Sequence, residues 1–281
     1  GMREAFRFTA IARLRTGPWL AEAMFLRPDD DKNTSTKLLG ANVEYTFGET
    51  GKIGVGYWNV YASNDERRDG LNLFDVRGEA HPLRSLPGLL LEGEITYERN
   101  GSGSLNNSWG GFGGIAYAFG DALPAEPLLG YRLAYFSGDD GSGDNRAFDP
   151  LFYGFEDWDQ WYLGEIIGEY VATNRNATVH ILRLETQPTE QVSAKDFYLY
   201  YHLNRTGEGS ITPRPPQSER LAVIDDKSIG QEIDFVVEFE ATDNVSFAGV
   251  AAAFFPGAGA KDFFEDDNTW LHFMLYTSLY F

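Results

Sequence analysis

The sequence predicts an all-β fold, an antiparallel transmembrane β-barrel. Three observations point there. About thirteen segments alternate with period two over about ten residues each, the length a tilted strand needs to cross a bilayer. Within each segment one face is apolar or aromatic and the other is charged. The chain also closes on "NTWLHFMLYTSLYF", in which Leu271, Phe273, Leu275, Leu279 and Phe281 share one face while Trp270, His272, Tyr276, Ser278 and Tyr280 share the other.

In chain order the predicted strands are 3–14, 19–28, 39–48, 52–63, 71–80, 89–99, 108–120, 128–138, 177–186, 194–204, 230–241, 245–256 and 269–281. In the third, Leu39, Ala41, Val43, Tyr45 and Phe47 form the apolar face, opposite Asn42, Glu44 and Thr46. In the sixth, Leu89, Leu91, Gly93, Ile95 and Tyr97 stand opposite Glu92, Glu94, Thr96 and Glu98. In 230–241, Ile233, Phe235, Val237 and Phe239 stand opposite Glu232, Asp234, Glu238 and Glu240. A soluble sandwich or lipocalin-like barrel would tuck the apolar faces inside. Thirteen strands are too many for one closed barrel of that kind. A membrane barrel turns the apolar face to lipid and the charged face to water, so its mean hydropathy of −0.33 is not an obstacle.

Connector lengths set a topology, since barrels of this kind have short periplasmic turns and long outer loops. With the last strand ending in the periplasm, 15–18, 48–51, 187–191 and 242–244 fall inside, with the longer, Pro-containing 81–88 and 121–127. The stretches 29–37, 63–70, 100–107, 139–176, 205–229 and 256–267 fall outside. An odd strand count puts the N-terminus outside, whereas single-chain bacterial barrels have even counts. Either a strand is miscounted or the chain is the C-terminal part of a larger barrel. The chain is otherwise a single domain over 1–281, with the long loop 139–176 expected to fold into or over the pore. In that loop Leu163, Ile166, Ile167, Tyr170 and Val171 follow helical spacing after Asp159, a candidate N-cap. Gly164 and Gly168 weaken the helix, and a fourteenth strand over 161–172 is the competing reading.

Composition excludes several functions. The 281 residues carry 23 Lys and Arg against 42 Asp and Glu, a formal charge of −19, so no basic surface exists to meet nucleic acid. No apolar run reaches the about 18 residues of a membrane helix. With no cysteine, disulfides, thiolate metal sites and cysteine nucleophiles are absent. His81, His180, His202 and His272 have no serine in a Gly-x-Ser-x-Gly frame nearby, so the chain is not expected to be an enzyme. His180 as the base of an outer-membrane lipid hydrolase is the remote exception.

The inward faces carry the candidate pore-lining residues: Arg7, Arg13, Asp75, Arg77, Glu79, Glu92, Glu94, Glu98, Arg132, Arg183, Glu185, Glu232, Asp234 and Glu238. Asp75-Val76-Arg77-Gly78-Glu79 and Arg183-Leu184-Glu185 alternate charge along one face. They form either a ladder that guides a charged or hydroxylated solute or a set of cross-strand pairs that brace the wall. The rows at 92–98 and 232–240 read as a hydrated, cation-attracting wall. Asp139, Asp140 and Asp144 offer oxygens for calcium, although their spacing is not that of an EF-hand. Solvated loop charge, or divalent bridging to lipopolysaccharide, is the other reading. No further cofactor is expected.

The run "YRLAYFSGDDGSGDNRAFDPLFYGF" (131–155), with its "SGD" and then "FDPLF", resembles the alginate-export family of bacterial outer-membrane porins. The segments "WYLGEIIGEYV", "HILRLETQPTEQVSAKDFYLYYHL" and "IGQEIDFVVEFEATDNVSFAGVAAAFFPG" are similar to that family's C-terminal strands. The resemblance implies a barrel of about eighteen strands passing a polyanionic sugar through an arginine-lined constriction. This chain's inward faces are richer in carboxylates than in arginines, so the resemblance implies a diffusion pathway more than a cargo. The expected protein is an outer-membrane channel for a hydrophilic, sugar-like or charged solute, surrounded by outer-membrane lipid and lipopolysaccharide. The alternative is a barrel-anchored surface binding or scaffold protein without transport.

Overall fold

A computed structural model describes residues 5–29, 34–101, 107–139, 146–151, 162–171, 174–208 and 223–280. Thirteen strands form one sheet. They are β1 (Ala5–Thr16), β2 (Trp19–Asp29), β3 (Lys37–Thr46), β4 (Gly51–Ala62), β5 (Leu71–Ala80), β6 (Leu89–Asn100), β7 (Ser108–Ala118) and β8 (Leu128–Phe136). Then come β9 (Ala177–Thr189), β10 (Val192–Leu203), β13 (Ser228–Thr242), β14 (Val245–Pro256) and β15 (Trp270–Leu279). A two-residue ribbon, β11 (Gly207–Glu208) with β12 (Val223–Ile224), lies between β10 and β13.

All neighbours pair antiparallel, each strand beside its predecessor, as an up-and-down barrel wall requires. Among the described residues β1 and β15 are the two ends of the sheet order and do not pair with each other. All thirteen predicted strands are present, with ends shifted by a few residues. The fourteenth-strand reading of 161–172 gives way to helix: Gly164–Val171 is a π-helix. Asp159 lies outside the described residues. The connector 256–267, expected as a loop, contains helix α1 (Ala258–Phe264).

The facing is inverted relative to a soluble protein. Leu39, Ile53, Val55, Phe74, Ile95, Ile115, Leu129, Leu182, Ile233, Leu271, Phe273 and Leu275 are all exposed, with Leu275 78% and Phe273 73% open. They share one face of the sheet because side chains alternate along a strand. In a bilayer this face meets hydrocarbon. Aromatics mark its margins: Trp19 lies 4.6 Å from Tyr45 and Tyr97 4.6 Å from Trp109, centroid to centroid, the arrangement of an interfacial girdle.

The chain after β8 is what fills the inner side. Its first part, 146–151, lies against β3–β7. Leu151 joins Leu38, Val60, Leu71 and Leu73 in one apolar cluster. The ring of Phe148 comes within 2.6 Å of where a Cβ on Gly110 would stand, so only glycine admits it there. The second part, 162–171, packs against β10, β13, β14 and β15. There Tyr162, Leu163, Ile166, Ile167 and Val171 join Phe197, Leu199, Tyr201, Val236, Val250 and Phe254.

Candidate functional site

The inner faces of β1–β9 carry two charge networks, and glycines make both of them possible. In the first, Arg13 Nε donates to Glu22 Oε1 at 2.6 Å, and Asn42 Nδ2 donates to Glu22 Oε2 at 3.0 Å. Arg77 then donates to Asn42 Oδ1 at 2.5 Å and to Asp75 Oδ2 at 2.7 Å. This run goes from β1 to β5 and passes over β4, whose inward residues here are Gly54 and Gly56. A Cβ on Gly56 would stand 1.9 Å from Asp75 Oδ1, and one on Gly54 would stand 3.1 Å from the Arg77 guanidinium carbon.

The second network centres on Glu92. Arg132 donates to Glu92 Oε1 from Nε at 3.2 Å and from its terminal nitrogen at 2.8 Å. Arg183 reaches the same oxygen at 3.2 Å and Glu185 at 3.5 Å. The Arg132 guanidinium also lies 4.9 Å over the Phe112 ring, a cation–π contact. Here Gly114 on β7 and Gly130 on β8 leave the space: a Cβ on Gly114 would come within 2.8 Å of the Glu92 carboxylate, and one on Gly130 within 2.6 Å of Arg183 Nε. Arg132 is only 2% exposed and Glu92 5%. Burying both ions is tolerated because each is paired.

The loop after β8 is tied down at both described parts. Arg68, between β4 and β5, makes a two-pronged bond to Asp149, at 2.8 and 2.9 Å. Glu98 on β6 accepts the Asp149 N–H at 2.9 Å. Burial alone would raise the Asp149 carboxyl, but the Arg68 guanidinium outweighs it and holds the group below its ordinary range. On the other side, Glu232 accepts the N–H groups of Ile166 and Ile167, both at 2.7 Å. Asp234 accepts the Tyr162 hydroxyl and, at 3.4 Å, the Glu165 N–H. His272 on β15 lies 4.0 Å from the Glu165 carboxylate. At the rim, Asn176 and Arg205 exchange two hydrogen bonds of 2.9 Å, and Asn204 donates to Phe136 O at 2.7 Å, holding the ends of β8, β9 and β10 together.

Thirteen of the fourteen candidate lining residues share the face opposite the exposed apolar one, and Arg7 falls at a register shift in β1. What the structure adds is which of those within it are covered. Glu98, Glu232 and Asp234 are 0% exposed, because the loop packs on them, so the row at 232–240 is not a continuous hydrated wall. Its lower half is open: Glu238 pairs with Lys195 at 3.5 Å and, with Glu190, Glu240 and Asp243, lines a cavity of about 570 Å³ beside the short turns. Glu79 pairs with Lys52 at 3.3 Å across the open wall, and Glu94 stands between Glu92 and Thr96 on β6. Arg7 lies on β1 at a register shift between Phe6 and Phe8, so alternation does not carry it onto the face of Arg13. Asp139 is exposed, while Asp140 and Asp144 lie outside the described residues. Among the described residues no three acidic or histidine side chains converge as metal ligands. His180 faces outward, with Nδ1 2.8 Å from the Tyr131 hydroxyl.

The glycines at 54, 56, 114 and 130 were not singled out from sequence, nor were Tyr162 and Asn176. Two of the glycines carried a usable signal, since Gly54 sits at an inward position between Glu44 and Arg77 and Gly114 between Glu92 and Arg132.

An apolar outer belt, a charged inner face and a loop packed against the inside together define a channel of the outer-membrane β-barrel class. The solved structures agree. The crystal structure of Pseudomonas aeruginosa OccK11 (OpdR) is similar with a TM-score of 0.60 and 11% identity, covering 99% of this chain and 71% of that one. That of Pseudomonas aeruginosa OccK5 (OpdH) has a TM-score of 0.57 and 11% identity over 97% of this chain and 71% of that one. A comparison with curated proteins gives no match. The family model described as Alginate export matches residues 2–267, nearly the whole chain. The chain therefore belongs to the alginate-export family, and it is an outer-membrane porin-type channel.

Proposed function

We propose that the channel passes small hydrophilic solutes passively, preferring cations and neutral sugar-like molecules to polyanions, with the loop 139–176 narrowing its bore. The observation that carries this reading is the pairing of the inner arginines. Arg13, Arg77, Arg132 and Arg183 each bind a carboxylate, so these four form no free basic track for a polyanion such as alginate. Glu238, Glu240 and Asp243 add negative charge at the short-turn mouth. Selectivity follows the sign of the charge lining the passage. The driving force is a concentration gradient and no chemical step is needed. In this arrangement the short turns and the C-terminus face the periplasm and the long loops face outward among lipopolysaccharide.

The purified protein in a planar bilayer tests this reading. Discrete ohmic current steps, and a reversal potential showing cation preference in a salt gradient, are expected. A protein that inserts without carrying current is an anchor and not a channel. Clear anion preference reverses the charge assignment.

A further inference from the structure

The carboxylates Glu232 and Asp234 lie on the inner face of β13, where a channel wall would meet water, and yet both are fully covered. What covers them is segment 162–171, and they are what holds it. Two N–H groups of the helical segment point at the two oxygens of Glu232, each at 2.7 Å. Charge-assisted bonds of this kind are roughly twice as strong as neutral ones. The segment's backbone is shaped for that approach. Gly164 has φ +99°, a conformation that side chains resist. A Cβ there would also stand 2.7 Å from the Tyr201 hydroxyl and 2.9 Å from Glu232 Oε1.

We propose that Glu232 and Asp234 are positioning residues that dock segment 162–171 against the inner wall, and that docking sets both the width of the channel and its charge preference. While the segment is docked, it occupies cross-section and hides two carboxylates. Once undocked, it frees that space and adds two negative charges to the passage. The two effects are linked in the natural protein and separable by mutation. This proposal rests on the channel reading above.

The loop side and the wall side can be broken independently. Gly164→Ala pushes the segment off while leaving both carboxylates in place. The double substitution Glu232→Gln with Asp234→Asn keeps the shapes, removes the charges, and turns the amide N–H group of residue 232 toward one of the backbone N–H groups that Glu232 accepts. Both variants should raise single-channel conductance, by about twofold or more. Their reversal potentials in a salt gradient should then diverge. Gly164→Ala becomes more cation-preferring than the natural protein, and the double variant does not. A merely structural role for the carboxylates would not produce that split. Retained heat-modifiable migration on a gel shows that the barrel is intact. Tyr162→Phe, which deletes one hydroxyl, gives a smaller rise of the same sign if a larger variant fails to fold. Natural protein that conducts, with folded variants that conduct identically, overturns the docking proposal alone. Natural protein that carries no current overturns the channel reading and this proposal with it.

Discussion

On β5, β6 and β8 the inner positions are Asp75, Arg77, Glu92, Glu98 and Arg132. On β10 and β14 they are Phe197, Leu199, Tyr201, Val250 and Phe254. Both stretches belong to one sheet and alternate in the same way, with apolar residues facing outward in each. The first half is braced by ions that span three strands, using glycines as gaps. Near the long-loop end the second half is dry, because segment 162–171 covers it, as segment 146–151 covers the same end of β3–β7. An inner face in a barrel is thus not uniformly wet. Where the inner residues of the wall are apolar, a segment after β8 supplies the partner surface, and Glu232 and Asp234 anchor it.

The strongest way to break this contrast is at Glu92. Glu92→Ala takes a buried carboxylate away from Arg132, 2% exposed, and from Arg183. Removing one partner of a buried pair costs about 3–5 kcal/mol. The midpoint of thermal unfolding in detergent should fall sharply. The variant should regain part of the loss when Arg132 is also replaced by Met, since a buried pair can give way to apolar side chains of similar size. Equal midpoints for natural and Glu92→Ala protein would mean that this half is not held by its ions.

The dry half calls for the opposite change. Ile167 is fully buried under β10 and β13, and Ile167→Ala should cost about 2–5 kcal/mol locally through loss of contacts and the cavity left behind. The loss should appear in the segment and not in the barrel. Proteolytic cleavage at Glu165 and Glu169 should accelerate while the thermal midpoint of the barrel hardly moves. A drop in the barrel midpoint as large as that of Glu92→Ala would merge the two halves into one cooperative unit.

These two sites also show what sequence carries and what it hides. Strand positions and facing follow from period-two alternation, because one residue's slip would turn a whole strand over. Hence all thirteen strands, and which face of each is the apolar one, were readable. Leu163, Ile166 and Ile167 announced a helix by spacing, although not that it is a π-helix. The burial of Glu232 and Asp234 was not readable. They sit in a row of acids that alternates like any wet wall, and what covers them comes from residues some 65 or more positions earlier in the chain. The same holds for the partner of Arg68: nothing local links it to Asp149, 81 residues away. Helix α1 was missed because "AGAKDFF" is short and flanked by loop residues, so it shows less than two turns of pattern.

A smaller effect distinguishes the loop's two ties by pH. Asp149 has its carboxyl held below the ordinary value of 3.8 by Arg68, against the opposing effect of burial. A depressed carboxyl contributes stability that is complete above its unfolded value and is lost as pH falls through its folded value. The tie at 146–151 should therefore persist at about pH 4 and loosen only at lower pH, below the ordinary carboxyl range. Pepsin acts in that window and favours Phe148 and Leu151, so cleavage there should appear only at the lower pH. In Arg68→Ala it should appear at both. Cleavage of the natural protein at the higher pH would show that the ion pair does not hold this end.

The smallest effect is expected at the start of the first network, and it tests whether bracing there depends on burial. Arg13 bonds Glu22 at 2.6 Å, among the shorter ties in the wall, but its side chain is 62% exposed. Water screens such a pair, and exposed ion pairs contribute about 0–1 kcal/mol. Arg13→Ala should leave the thermal midpoint almost unchanged, although Glu22 still accepts a bond from Asn42 and the chain of contacts to Arg77 stays in place. What should move is the reversal potential, by a small step toward cations, because a positive charge open to the passage has gone. A midpoint loss comparable to that of Glu92→Ala would mean that length of contact and not desolvation decides the strength of these ties, and the distinction between a braced half and a covered half would then need another basis.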